Sequence, residues 1–124
     1  MMCLTEEVME IYKVMKSYTS LEQAKTLAEF LPLKSADMRF CFSHTLGGRI
    51  TGHYPMIGRE PSMGTIPCWS LAALFKIISN IFKYSLDYNG TSFILMVGDF
   101  EVSNKAAVDA CVEMIEKLHE QKLL

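Results

Sequence analysis

FKYSLDY (82–88), NG (89–90) and TSFILMV (91–97) are the segments on which the fold turns. Asn89-Gly90 stands between two alternating runs. An Asn-Gly pair is the strongest short-range signal for a hairpin closed by a two-residue turn, because both residues tolerate positive φ. That turn predicts a register in which Tyr88 faces Thr91, Leu86 faces Phe93, Tyr84 faces Leu95 and Phe82 faces Val97. Opposed residues share a face, so these eight form one mostly apolar surface. Lys83, Ser85, Asp87 and Ser92 fall on the other side with Ile94 and Met96. A lone hairpin is marginal in water, so the apolar face needs a cover. The last helix is expected to provide it.

Working outward, Gly98-Asp99 ends the hairpin, and Phe100 to Val102 reads as extended chain or a short strand. Ser103 or Asn104 is the expected cap of a final helix running to about Gln121. Ala107, Val108, Cys111, Val112, Met114, Ile115 and Leu118 cover more than one stripe of that helix, so it should be the most buried. Glu113 and Lys117 form an i, i+4 pair on its exposed edge. Before the hairpin, Ser70 caps a helix whose buried side is Leu71, Leu74, Phe75 and Ile78. Trp69 and Leu74 have the spacing of a hydrophobic staple.

Toward the N-terminus, Thr5 is the expected cap of a helix with an apolar stripe at Val8, Ile11, Tyr12 and Met15, ending near Ser17 to Thr19. Ser20 and Gln23 make a capping box for a second helix, with Leu21, Ala24, Leu27, Ala28 and Leu31 apolar and Pro32 as its stop. Met38 to Tyr54 reads as a second hairpin turning at Gly47-Gly48, with His44 facing Thr51 and Phe42 facing His53. Residues 55–67 read as a loop rich in Gly, Pro and Ser. The fold class expected is α+β: antiparallel hairpins packed on three to four helices in a single domain spanning 1–124.

The 124 residues are half hydrophobic and 21% charged, with a net charge of −2, which suits a packed core and argues against a polyanion-binding protein as a whole. No apolar run reaches the length of a membrane span, and the N-terminus lacks the pattern of a signal peptide, so a cytoplasmic location is expected. The four cysteines are scattered and read as buried thiols, and the nine methionines as core filling.

SLEQAKTLAEFLPLKSADM (20–38), IPCWSLAALFKII (66–78) and AVDACVEMIEKL (107–118) together resemble a family of small uncharacterised proteins carried by phages, prophages and mobile elements of gut anaerobes. The resemblance covers most of 20–121 and leaves 1–19 outside. It implies a fold boundary and an origin. It implies no activity, because the shared residues fall on caps and apolar faces.

Specific chemistry fares less well than plain packing. Cys41, His44, His53 and Cys68 supply four possible ligands for zinc, but Cys41 and His44 lie on opposite faces of a strand. Cys68 and Ser70 stand near a helix start without a histidine and carboxylate at a recognisable catalytic spacing. Gly47-Gly48-Arg49 lacks the pattern of a phosphate loop. No cofactor or metal is expected. All three arginines fall between 39 and 59, where residues 34–59 carry a net +3, against −3 over 99–124. The expected interaction surface is therefore Arg49, His53, Tyr54 and Arg59, since the core is expected to use up the apolar faces of the other elements. The leading reading is a protein-interaction module binding an unidentified protein or a second copy of itself. A nucleic-acid-binding accessory protein using the arginines is the alternative, and an enzyme is third.

Overall fold

The structure, a computed structural model, describes residues 17–44, 50–57 and 66–124, with backbone alone for 42–44 and 50–57. The expected helix over 5–16, the Gly47-Gly48 turn and most of the 55–67 loop lie outside those residues. What is described is a small α+β domain. Its helices are α1 (Leu21–Ala28), α2 (Leu71–Ser79) and α3 (Ala107–Glu120), with a 3-10 turn at Leu33–Ser35. The strands are β1 (Met38–His44), β2 (Ile50–Ile57), β3 (Ile66–Cys68), β4 (Tyr84–Tyr88), β5 (Phe93–Val97) and β6 (Phe100–Asn104). They make two antiparallel three-stranded sheets, ordered β2-β1-β3 and β4-β5-β6.

The 82–97 hairpin forms, but its turn is centred one residue later than Asn-Gly predicts. Tyr88 pairs with Phe93, Leu86 with Leu95 and Tyr84 with Val97. Gly90 alone takes positive φ in the turn, at +97°. Asn89 stays at the flank, where its N–H donates to the Ser92 carbonyl at 3.1 Å and its Oδ1 accepts from the Ser92 N–H at 2.8 Å and the Thr91 N–H at 3.0 Å. A side-chain acceptor offers asparagine a role that needs no left-handed backbone. Moving the turn centre by one residue moves the register by two, so every side chain keeps its face.

The cover differs too. Phe100 to Asn104 extends the hairpin into a meander and makes β5 the central strand. α3 packs across β5 and β6 and against α2. Leu95, Val97 and Val102 are buried there, while Leu86 and Phe93 are half-buried. Phe82 and Tyr84 remain 39% exposed and Tyr88 53%, so the β4 side of the apolar face is open. Ser103 and Asn104 belong to the strand. The N-cap of α3 is Ala106, whose N–H reaches back to Asn104 Oδ1 at 3.3 Å, and the Asn104 amide also donates to Glu113 Oε1 at 2.8 Å. α3 does bury more than one stripe: Val108, Cys111, Met114, Ile115 and Leu118 are fully enclosed.

The N-terminal elements follow their caps. Ser20 Oγ accepts from the Gln23 N–H and Gln23 Oε1 from the Ser20 N–H, completing the capping box. α1 ends at Ala28, before Pro32, which instead caps the 3-10 turn. Residues 17–19, expected as a helix end, are extended and run antiparallel to 69–71. The Thr19 N–H donates to the Trp69 carbonyl and the Leu71 N–H to the Ser17 carbonyl. In the other sheet Phe42 pairs with His53 as expected. His44 pairs with Ile50 rather than Thr51, because the register slips between Ser43 and His44.

Candidate groove beside helix α2

The three motif segments meet in space. The Asp37 carboxylate accepts from the Ser70 N–H at 2.9 Å through Oδ1 and from the Ser70 hydroxyl through Oδ2. The same hydroxyl oxygen caps α2 by accepting from the Ala73 N–H at 3.2 Å. The Trp69 indole N–H donates to Ser35 Oγ at 2.9 Å, and Trp69 and Leu74 are both fully buried. Met38 pairs with Cys68 across the β1–β3 ladder. Farther on, the Gln23 amide donates to Asp109 Oδ1 at 2.8 Å. Apart from the Ser70–Ala73 cap, each of these contacts joins one of the three segments quoted above to another, so their polar residues tie distant pieces of chain together.

That joint leaves a groove of about 740 Å³ between residues 30–37 and α2 with the turn after it. Leu31 and Ala73 are buried at it, and Ile77 and Ile81 are half-buried. Ala73 and Ile77 of α2, with Ile81 in the turn after it, follow i, i+4, i+8 spacing and give the groove an apolar wall; Ala73 belongs to the core cluster, and Ile77 and Ile81 pack partly against it. The exposed lysines Lys34 and Lys76 flank it. Asp37 is the carboxylate among the described lining residues, and both its oxygens are engaged with Ser70. Ser35 is engaged too, accepting from Trp69 and donating to the Pro32 carbonyl. The open charged side chains of the groove are the two lysines, with Asn80, a neutral amide, and Leu124 also at its lining.

Phe30 lines this groove and a second, smaller cleft of about 420 Å³ with Glu29, Glu116, His119 and Glu120. The His119 ring stacks on Phe30 at 4.0 Å. Burial raises the Glu116 carboxyl above the usual glutamate range, with Glu113 and Glu120 adding repulsion. A carboxyl whose pKa is raised by folding opposes the folded state once it ionises. Glu116→Gln is therefore expected to raise the melting temperature near pH 7. The gain should fade as pH falls through the folded pKa and vanish below about pH 4, where Glu116 is protonated both folded and unfolded. Thermal melts of the two proteins across that range check it; an equal gain at acid pH would contradict the electrostatic origin.

The residues singled out from sequence are placed as follows. Arg39 is only 7% exposed, within the central strand β1, so it adds nothing to an exposed basic patch. His53 and Tyr54 occupy consecutive positions of β2 opposite Phe42 and Cys41. Arg49 and Arg59 lie outside the described residues. Cys68 is fully buried, its sulfur 3.6 Å from Thr19 Oγ1, and it sits three register positions from Cys41 along β1. Among the described residues no group of three or more His, Cys, Asp or Glu is placed to hold a metal. Burial pushes the Cys111 thiol up to about 12, far from a reactive thiolate. The expectation that the core uses up the remaining apolar faces fails at the β4 side of the hairpin, where Phe82, Tyr84 and Tyr88 stay exposed. The groove was missed because its walls are distant in sequence; the Ala73-Ile77-Ile81 spacing was the available signal.

No helix of the described residues is long and apolar enough to cross a membrane. Comparison with known proteins returns no matching family model, curated protein or solved structure.

Proposed function

We propose that this chain is a small, non-enzymatic protein-interaction module, of phage or mobile-element origin and acting in the cytoplasm. It takes an acidic amphipathic segment of a partner protein in the groove beside α2. The observation that carries this reading is the apolar wall of the groove, buried Ala73 with half-buried Ile77 and Ile81, standing between exposed Lys34 and Lys76. A partner helix with an apolar stripe would cover what Ile77 and Ile81 still expose, and flanking carboxylates would meet the lysines. The origin rests on the motif resemblance alone.

The competing readings have less support. With Arg39 buried, a nucleic-acid surface would depend on the remaining arginines. Ser70 and Asp37 resemble part of a catalytic pair, yet the hydrogen bonds of Ser70 are to Asp37 and the Ala73 N–H, which is a helix cap held from a distance.

The test is a titration of the full chain, followed by amide NMR, with a synthetic helical peptide carrying leucines at i, i+3, i+4, i+7 and glutamates beside them. Saturable shifts should centre on Ala73, Lys76, Ile77 and Ile81. Lys34→Glu with Lys76→Glu should weaken binding on the order of tenfold or more. Shifts centred elsewhere, or binding indifferent to both reversals, would overturn the reading.

A further inference from the structure

Among the described residues β4 is an edge strand of the β4-β5-β6 sheet. It contains no proline, and its pairing with β5 runs without a bulge. The direction of its free hydrogen-bonding groups follows from the turn. The Asn89 N–H donates to the Ser92 carbonyl, so 89 and 92 are a hydrogen-bonded pair. Such pairs alternate along an antiparallel ladder. Asp87 and Ser85 therefore bond inward to Ile94 and Met96, while Tyr84, Leu86 and Tyr88 turn their N–H and C=O groups toward the open edge. The side chains of these outward positions lie on the part of the apolar face that α3 leaves uncovered. Tyr84 is 39% exposed and Tyr88 53%, with Phe82 just before them 39% exposed. Tyr84 stacks on Phe75 at 5.0 Å and Tyr88 packs on Phe93 at 4.7 Å, which holds the aromatics in place.

The sequence around this edge is complementary to itself. Lys83 and Asp87, both exposed, stand symmetrically about Ser85. We propose that β4 pairs with β4 of a second copy, antiparallel about a two-fold axis at Ser85, joining two sheets into one. That register sets Tyr84 against Leu86 of the second copy, twice by symmetry, so their outward-directed groups meet as hydrogen-bonded pairs; Phe82 comes opposite its Tyr88 with only its carbonyl to offer, since the Phe82 N–H already donates to the Ile78 carbonyl at 3.0 Å. It also sets Lys83 opposite Asp87 of the second copy, twice by symmetry, at non-hydrogen-bonded positions where side chains approach closest. The neighbouring register that satisfies the backbone, with its axis at Leu86, places Asp87 opposite Ser85 and Lys83 opposite Asn89 and forms no charge pair. Charge complementarity thus selects both the occupant, an identical strand, and its alignment. The proposal is independent of the groove, whose lysines lie on other elements.

Sedimentation equilibrium of the full chain tests it, with circular dichroism and melting as checks on folding. The wild type should form a concentration-dependent dimer. Lys83→Asp and Asp87→Lys, both at exposed positions, should each raise the dissociation constant on the order of tenfold, since each turns two attractive pairs into repulsive ones. The combined charge swap, Lys83→Asp with Asp87→Lys, should return the constant to within about threefold of wild type. A wild type monomeric up to about 1 mM, single reversals without effect, or a swap no better than either single variant would each overturn the proposal. Pairing through the β6 edge or through the groove would leave the single reversals without effect.

Discussion

Trp69→Ala is expected to lower the free energy of unfolding by about 3–5 kcal/mol. The indole is fully buried at the junction of β3 and α2. Its removal leaves a large cavity among residues already fixed by backbone pairing, so the site has little room to collapse. It also deprives Ser35 Oγ of its indole donor. Urea denaturation monitored by circular dichroism measures the loss. A cost below about 1 kcal/mol, accompanied by loss of partner binding, would make Trp69 an interaction anchor rather than a core residue.

Asp37→Ala should cost about 2–3 kcal/mol, the second largest effect expected of a single substitution here. The carboxylate serves the Ser70 N–H and the Ser70 hydroxyl together. Bonds to a charged acceptor exceed neutral ones, and their loss leaves a part-buried donor at the start of α2. Asp37→Asn keeps an acceptor without the charge and should lie between the two. The same denaturation experiment ranks all three, and an asparagine variant as weak as the alanine one would mean that charge carries the whole effect.

These two residues show what the sequence reveals and what it hides. Ser70 as a cap and the burial of Trp69 beside it are local features, set by spacing within a few residues. Asp37 acts on a helix cap that lies 33 residues later, and no spacing rule connects them. The hairpin shows the same division. Alternation identified the strands and the apolar face correctly, and a shift of two in register could not disturb it. The turn centre was misplaced because Asn89 has two ways to serve a turn, through its backbone or through its Oδ1, and here the side chain prevails. The last helix was expected to begin too early because Ser103 and Asn104 are good caps in isolation, whereas pairing with Ile94 and Phe93 holds them in β6. The groove belongs mostly to the hidden part, its one sequence signal being the Ala73-Ile77-Ile81 spacing. Reading α2 by its Leu71-Leu74-Phe75-Ile78 stripe satisfies one side of the helix, and only the structure shows that Ala73, Ile77 and Ile81 line an open groove as well.

The central claim is that the motif residues hold separate segments together, which leaves interaction to the surfaces beside them. A double-mutant cycle on Asp37→Ala and Ser70→Ala tests it most directly, because the two residues lie on different segments and meet only in the folded chain. A coupling of about 1–2 kcal/mol is expected, with the part of the Asp37 effect that runs through the Ser70 N–H surviving in the Ser70→Ala background. Additive effects, with coupling below about 0.3 kcal/mol, would mean that the two segments are not joined through this pair and would contradict the account.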